Sequence, residues 1–213
     1  MIENFNKKID VKIHENSLSN EEAEEIIKLI KTENVHTILS KLSTNLIREY
    51  LNLAIKSNHI FLFTCKIKKK IIGHALFAKE PRYLISEFAT LKFKILFYLI
   101  KKIKFFLLIN ILISIIKLDL ILLDKKPKDS IKNSLNLNLL AINKEYQSKG
   151  IGKFFFENSI QIIYQNYCKF NLITCEVPTL DASNFYEKKL DFKLIGKKIR
   201  LFSIFFVFLK KHM

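Results

Sequence analysis

Gln147-Ser148-Lys149-Gly150-Ile151-Gly152-Lys153 falls between an apolar run that ends at Ile142 and an amphipathic run that begins near Phe154. A glycine turn joining a strand to a helix is a place where a pyrophosphate can be held. The glycines let the backbone approach a ligand with no Cβ in the way, and the helix N-terminus offers unpaired N–H groups and positive potential. Lys149 and Lys153 add charge to the same segment. A lone G-x-G is a weak pattern whose simplest reading is a plain turn, so its context decides. A dinucleotide-binding turn requires a third glycine in G-x-G-x-x-G, and that position holds Phe155.

Upstream, Asn133 to Ile142 alternates Leu135, Leu137 and Leu139 with asparagines, the period of two expected of a strand with one buried face. Downstream, Phe156, Ile160, Ile163, Tyr164 and Tyr167 share one face of a helix. Asn171 to Val177 then reads as a buried strand, Asp181 to Lys189 as a short helix, and Phe192 to Ile199 and Ser203 to Lys210 as closing strands. Toward the N-terminus, Val11 to His14 is a short strand. Ser19-Asn20-Glu21-Glu22 is a capping box that starts a helix running to about Lys31. Leu42, Leu46, Ile47, Leu51, Ala54 and Ile55 predict a second amphipathic helix over Ser40 to Ser57. His59 to Lys66 and Lys70 to Lys79 form an antiparallel hairpin about a polar Ile67-Lys68-Lys69 turn.

One stretch does not fit this alternation. Glu80 to Lys132 is rich in Leu, Ile, Phe and Lys. Turning each residue by about 100° places Ile95, Leu96, Leu99, Ile100, Ile103, Phe106 and Leu107 on one arc, with Lys94, Lys101, Lys102 and Lys104 opposite. Phe105 to Ile116 carries no charge, yet it falls short of the about 20 apolar residues that a spanning helix needs. The segment is therefore expected to be a helical insert with two open readings. It packs on the sheet or on a second copy of the chain, or it lays its apolar face over 91–123 into a membrane surface while its lysines meet anionic head groups.

Composition bounds the rest. The chain has 213 residues, 49% of them hydrophobic, with four Gly and three Pro, which predicts one folded domain over 1–213 with the insert at about 80–132. Its formal charge of +16 attracts anions, but Arg is confined to Arg48, Arg82 and Arg200 while Lys abounds. Readers of nucleic acid lean on bidentate Arg, so a nucleic-acid role is not expected. Cys65, Cys168 and Cys175 show no paired spacing, and His14, His36, His59, His74 and His212 no metal-ligand spacing, so neither disulfides nor a metal is expected. Met1 to Asp10 lacks the form of a secretory signal, and a cytoplasmic protein, with the inner membrane face open as a peripheral site, is the expectation.

Leu139 to Lys153, with Gln147-x-x-Gly150-x-Gly152, resembles the acetyl-CoA motif of the GNAT N-acetyltransferase superfamily, written Q/R-x-x-G-x-G/A. Ala182-Ser183-Asn184-Phe185-Tyr186-Glu187-Lys188-Lys189-Leu190-Asp191-Phe192 is similar to its A-x-x-F-Y-E-K-x-G-F signature, and Lys70-Ile71-Ile72-Gly73-His74 to its G-K-I-I-G strand. The resemblance implies an α/β fold, a mixed and largely antiparallel sheet with flanking helices. Its fourth and fifth strands, here Asn133–Ile142 and Asn171–Val177, would splay apart around the pantetheine arm, and the helical insert would lie between the third and fourth strands. It implies that the backbone of Leu140, Ala141 and Ile142 bonds the pantetheine. Gln147, Ser148, Lys149, Gly150, Ile151, Gly152 and Lys153 would hold the pyrophosphate, and Tyr186 would act as acid toward the departing thiolate. The co-substrate is acetyl-CoA.

Four positions depart from the motif. Lys144 stands where a proline is common, Ser148 where glycine is frequent, Thr179 where an asparagine often contacts the coenzyme, and Asp191 where glycine is usual. Asp191 is expected to adopt a left-handed turn, which Asp tolerates better than most residues. For a general base, Glu176, Glu145 and His74 are candidates by location alone. The long apolar insert resembles, in character and position, that of GNAT proteins associated with surface polysaccharides. It implies a small amine acceptor such as an amino sugar linked to a nucleotide or lipid. A protein or peptide acetyltransferase, a non-catalytic acyl-CoA-binding regulator and a homodimer remain open.

Overall fold

The computed structural model describes residues 9–80, 134–178, 180–200 and 203–211, the strand at 120–123, and positions 83, 84, 88, 91, 94, 95, 97 and 98. Strand β1 (Ile9–His14) leads into helix α1 (Asn20–Glu33). The Ser19 hydroxyl accepts from the Glu22 N–H and the Glu22 carboxylate from the Ser19 N–H, the reciprocal cap that the sequence predicts. Helix α2 (Thr44–Lys56) starts later than the apolar spacing suggests. Leu39–Lys41 form a separate 3-10 turn, and the Ser43 side chain supplies the actual cap by accepting from the Leu46 N–H.

Strands β2 (Ile60–Ile67) and β3 (Lys70–Ala78) make the expected hairpin, closed by Lys68 in the left-handed region at φ 57°. Strand β4 (Leu120–Leu123) follows, then β5 (Leu135–Ile142), helix α3 (Ile151–Asn166), β6 (Leu172–Val177), helix α4 (Leu180–Leu190), β7 (Lys193–Arg200) and β8 (Ser203–Lys211). The sheet runs in the order β1-β2-β3-β5-β6-β8-β7-β4, and β5–β6 is its parallel pair among otherwise antiparallel neighbours.

Each face of the sheet is covered by a pair of helices. Ile26 and Ile30 of α1 and Ile47 and Leu51 of α2 pack with Leu62, Leu76 and Leu139 on one side. Phe155, Phe156, Ile160 and Ile163 of α3 and Leu190 of α4 pack with Phe63, Phe77, Leu137, Ile173 and Phe208 on the other. Tyr167, expected on the apolar face of α3, instead follows the helix at its C-cap and tilts against Phe61.

The simple alternation expected of Asn133 to Ile142 breaks. Leu76 pairs with Leu139 but Phe77 with Leu137, so Asn138 is an extra residue, a β-bulge. The bulge reverses the phase of the strand. Leu135 and Leu137 join the core under α3 and α4, whereas Leu139 joins the core under α1 and α2. Asn136 is buried too, and donates to Thr174 on β6, which also bonds Ser134.

The insert begins against the helical layer. Phe88 and Leu91 are buried in the α1–α2 core and Ile95 and Tyr98 pack on it, while Lys94 pairs with Glu49 of α2. Phe97 points away and is 78% exposed. At 120–123 the expected helix gives way to β4, a charge-free apolar run that pairs with β7 at the far edge of the sheet. The remaining residues of the predicted helical arc, 96, 99, 100, 103, 106 and 107, lie outside the described residues. Among the described residues no helix is long and apolar enough to cross a membrane.

Candidate active site

The site is built where two neighbouring strands part. Strands β5 and β6 pair at Leu135–Ile173, Asn136–Thr174 and Leu137–Cys175, and there the pairing stops. Beyond it, β5 continues against β3 as far as Ile142, while β6 continues against β8 as far as Val177. The bulge at Asn138 sits at the point of divergence. The result is a fork in the sheet whose β5 wall, Asn138 to Ile142, has backbone groups that no strand among the described residues pairs on that side. Leu140, Ala141 and Ile142 lie along this wall.

From Ile142 the chain passes through a 3-10 turn, Lys144–Tyr146, into the glycine turn and α3. Ser148 and Gly150 take positive φ, 60° and 77°. The glycine that is frequent at position 148 is thus replaced by a residue held in a conformation glycine adopts more easily. Left-handed residues in a tight turn bring successive N–H groups toward one point, a concavity suited to an anion. Gly150 caps α3, and the first helical bond runs from the Phe154 N–H to the Gly150 carbonyl. The N–H groups of Ile151, Gly152 and Lys153 are left with no acceptor inside the helix.

Two side chains of this turn brace it. Gln147 Nε2 donates to the Ile142 carbonyl at 2.7 Å and to Glu33 at the end of α1 at 3.3 Å. Lys149 Nζ donates to the Glu145 carbonyl at 2.8 Å. Lys153 is exposed on the first turn, 3.8 Å from Glu157. The Gln147 amide is thus engaged in bracing the turn, and the N–H groups available there are those of the backbone at the helix N-terminus.

Gly152 joins the two motifs in space. A Cβ there would lie 3.2 Å from the Phe185 ring and 3.8 Å from Ile142 Cγ1, so α4 packs directly on the start of α3. Next to Phe185, Tyr186 is set among the rings of Phe185, Phe192 and Phe208 at 5.5, 5.6 and 6.2 Å. Burial of its phenol, and secondarily the neighbouring Cys175 thiol, raise its pKa well above the ordinary value. Cys175 is the β6 residue of the last β5–β6 pair and is itself paired with Phe208 on β8, on whose ring Tyr186 stacks, so Tyr186 lies near the base of the fork. Asp191 ends α4 with φ 57°, the expected left-handed turn.

The three base candidates separate. His74 is fully buried under α1 and α2, neither ring nitrogen has a hydrogen-bond partner among the described residues, and burial lowers its pKa to about 4. It is a neutral core residue. Glu145 is exposed on the 3-10 turn outside the fork. Glu176 lies one residue past the last β5–β6 pair, exposed, on the side opposite Cys175. Thr179 lies outside the described residues. Sequence reasoning passed over Asn138, whose side chain is exposed at the fork, and Tyr50, whose hydroxyl accepts from Asn138 Nδ2 at 3.1 Å. The Asn136-x-Asn138 spacing was the available signal, and it read as ordinary alternation. Among the described residues no group of three His, Cys, Asp or Glu is placed to hold a metal.

No family model matches the sequence, and no curated protein matches it. Solved structures do match in fold. An acetyltransferase of the GNAT family from Streptococcus pneumoniae superposes with a TM-score of 0.52 at 15% identity, covering 95% of this chain and 100% of that one. The Drosophila melanogaster polyamine N-acetyltransferase, which forms N-acetylagmatine, gives 0.57 at 9%, covering 95% and 100%. Mosquito arylalkylamine N-acetyltransferase like 5b gives 0.56 at 12%, covering 96% and 100%. These are likenesses of architecture. The mixed sheet with its one parallel pair, the flanking helices and the fork between β5 and β6 make this the GNAT-like fold.

Proposed function

We propose that the protein is an acetyl-CoA-dependent N-acetyltransferase acting on a small-molecule amine. The observation that carries the reading is the fork between β5 and β6, with a left-handed glycine turn and a helix N-terminus at one end and the Tyr186 phenol near its base. Apart from the Ile142 carbonyl, which Gln147 takes, the fork offers the β5 backbone from Asn138 to Ile142 to an extended amide-containing chain, as a sheet edge accepts an added strand. The free N–H groups at Ile151, Gly152 and Lys153 suit the pyrophosphate. Gly152 lets α4 close against this turn, which is why both motifs serve one ligand.

Acetyl-CoA supplies the acyl group as a thioester. In the transfer, the amine nitrogen bonds to the acyl carbon, the carbon–sulfur bond breaks, the nitrogen loses a proton and the sulfur leaves as a thiolate that must be hydrogen-bonded or protonated. Tyr186 is the residue for that last task. A phenol with a raised pKa stays protonated and donates a hydrogen bond, while full transfer of its proton becomes harder. Hydrogen-bond stabilisation of the sulfur is therefore its main contribution. Tyr186→Phe keeps the ring packing and is expected to lower kcat about 10²-fold, with the acetyl-CoA KM within twofold of wild type. Unchanged kcat would remove Tyr186 from the chemistry.

Among amines, the net charge of +16 disfavours a polycation and favours an acceptor that carries negative charge, since the field of the whole chain steers encounter. An amino sugar linked to a nucleotide or a lipid phosphate meets this requirement. The test of the whole reading is linkage. Acetyl-CoA at about 100 times its Kd stabilises a specific binder by about 2.7 kcal/mol, which for a chain of this size is a rise in Tm of roughly 5–10 °C. Absence of a shift at millimolar acetyl-CoA rejects the enzyme and the coenzyme-binding regulator together. A shift without turnover leaves the regulator.

A further inference from the structure

Asn138 occupies a special place on β5. It is the bulged residue, it stands where β5 leaves β6, and it is exposed, whereas Asn136 and Leu139 on the same face are buried. A bulge re-aims a side chain, and this one is aimed toward α2. Its Nδ2 donates to Tyr50 Oη at 3.1 Å, which restrains the rotation of the carboxamide and leaves Oδ1 as its acceptor atom. Tyr50 is itself buried and clamped. Its ring stacks on Phe88 of the insert with centroids 4.1 Å apart and planes 20° from parallel. Phe88, Tyr50 and Asn138 thus form one continuous contact from the insert, through α2, to the fork.

Asn136 has no such freedom, because its amide is spent on Thr174 across the β5–β6 pair. The exposed amide of Asn138 is the group this arrangement leaves for something outside the protein. Resting on the acetyltransferase reading, we infer that Asn138 positions the acceptor amine, its Oδ1 accepting an N–H of the incoming nitrogen. Tyr50 and Phe88 are positioning residues that hold the carboxamide in place. An amide accepts a hydrogen bond but takes no proton, so Asn138 orients the nucleophile and the proton leaves to another group or to water. The insert, in this account, acts on the acceptor side of the reaction through Phe88 and not on the coenzyme.

The experiment measures CoA thiol release with glucosamine 6-phosphate and with O-phosphoethanolamine as acceptor probes, amines that carry the negative charge favoured above, alongside the acetyl-CoA thermal shift. For Asn138→Ala, kcat/KM for the amine is expected to fall at least about 10-fold, while the acetyl-CoA KM and thermal shift stay within twofold of wild type. Asn138→Ser, which keeps an acceptor oxygen, should recover part of the loss and serves if the alanine variant folds poorly. Tyr50→Phe preserves the stack on Phe88 and should cost about 3–10-fold in the same amine parameter, from the loss of one hydrogen bond. Amine kinetics unchanged within twofold in Asn138→Ala overturn the inference, as does a wild type that binds acetyl-CoA yet turns over neither probe. Failure of acetyl-CoA to bind wild type is a different result and removes the acetyltransferase reading on which the inference stands.

Discussion

Between pH 6.5 and pH 4 the protein is expected to lose several kcal/mol of folding stability, and two imidazoles are responsible. Burial lowers the pKa of both His14 and His74 from 6.5 to about 4. Glu22 partly offsets the effect at His14. In the unfolded chain each imidazole takes up its proton below pH 6.5, whereas in the fold it stays neutral until about pH 4. The unfolded state therefore binds more protons throughout this window, and stability falls as pH falls. The contribution is fully present above pH 6.5 and is lost on approach to pH 4. At about 1.4 kcal/mol per decade, each imidazole contributes about 2 kcal/mol of loss by pH 5 and roughly 3 kcal/mol by pH 4.

Two such residues amount to about 4 kcal/mol at pH 5, a large share of the about 5–15 kcal/mol that holds a typical domain together. Urea unfolding at pH 7.5 and pH 5 checks this through the midpoint. His74→Leu should halve the pH dependence, because a leucine of similar volume removes both unpaired ring nitrogens and the titration. His14 keeps its share, with Nε2 bonded to Thr64 at 2.9 Å. A midpoint that does not move between the two pH values contradicts the burial of these rings. A second, separate loss follows at lower pH from Glu22. Burial alone would raise its carboxyl, but the hydrogen bonds from Lys66 at 2.7 Å and from the Ser19 N–H outweigh burial and hold it near 2. Its stabilisation is present above pH 4.5 and is lost as pH falls toward 2.

How much of this was legible in the sequence depends on the range of the interaction that sets each feature. Local rules were readable. The Ser19–Glu22 cap, the Lys68 hairpin turn, the left-handed Asp191 and the order of strands and helices outside the insert all follow from residues within a few positions of one another. The features that make the site are of long range. The bulge at Asn138 exists because Leu76 and Phe77 on β3 accept a shifted register, and no property of Asn136-Leu137-Asn138-Leu139 alone announces it. His74 looked like a candidate base because a strand histidine next to a glycine has no sequence mark of burial. The packing of α1 and α2 decides its state. Likewise β4 reads as part of an apolar helix until β7 offers it an edge, since short apolar runs suit either period.

The same long-range dependence makes Gly73, buried on β3, a sensitive position beside the fork, although it lies on neither of its walls. Gly73 on β3 is paired with Ile142 on β5. A Cβ at this position would come within 2.4 Å of Ile142 Cδ1 and 2.9 Å of the Ala141 carbonyl oxygen. The first clash is with the end of a flexible side chain and can be relieved by rotation. The second is with backbone, and relieving it moves the β5 wall itself. Gly73→Ala is therefore expected to cost about 1–3 kcal/mol of stability by overpacking. Gly73→Val should cost more and, if it folds, abolish the acetyl-CoA thermal shift. The double variant Gly73→Ala with Ile142→Ala separates the two contacts. It removes the side-chain clash and leaves the carbonyl one, so coenzyme affinity should remain well below that of Ile142→Ala alone. Affinity equal to that of Ile142→Ala would mean that β5 tolerates the Cβ, and that the fork is not held by the close approach of β3.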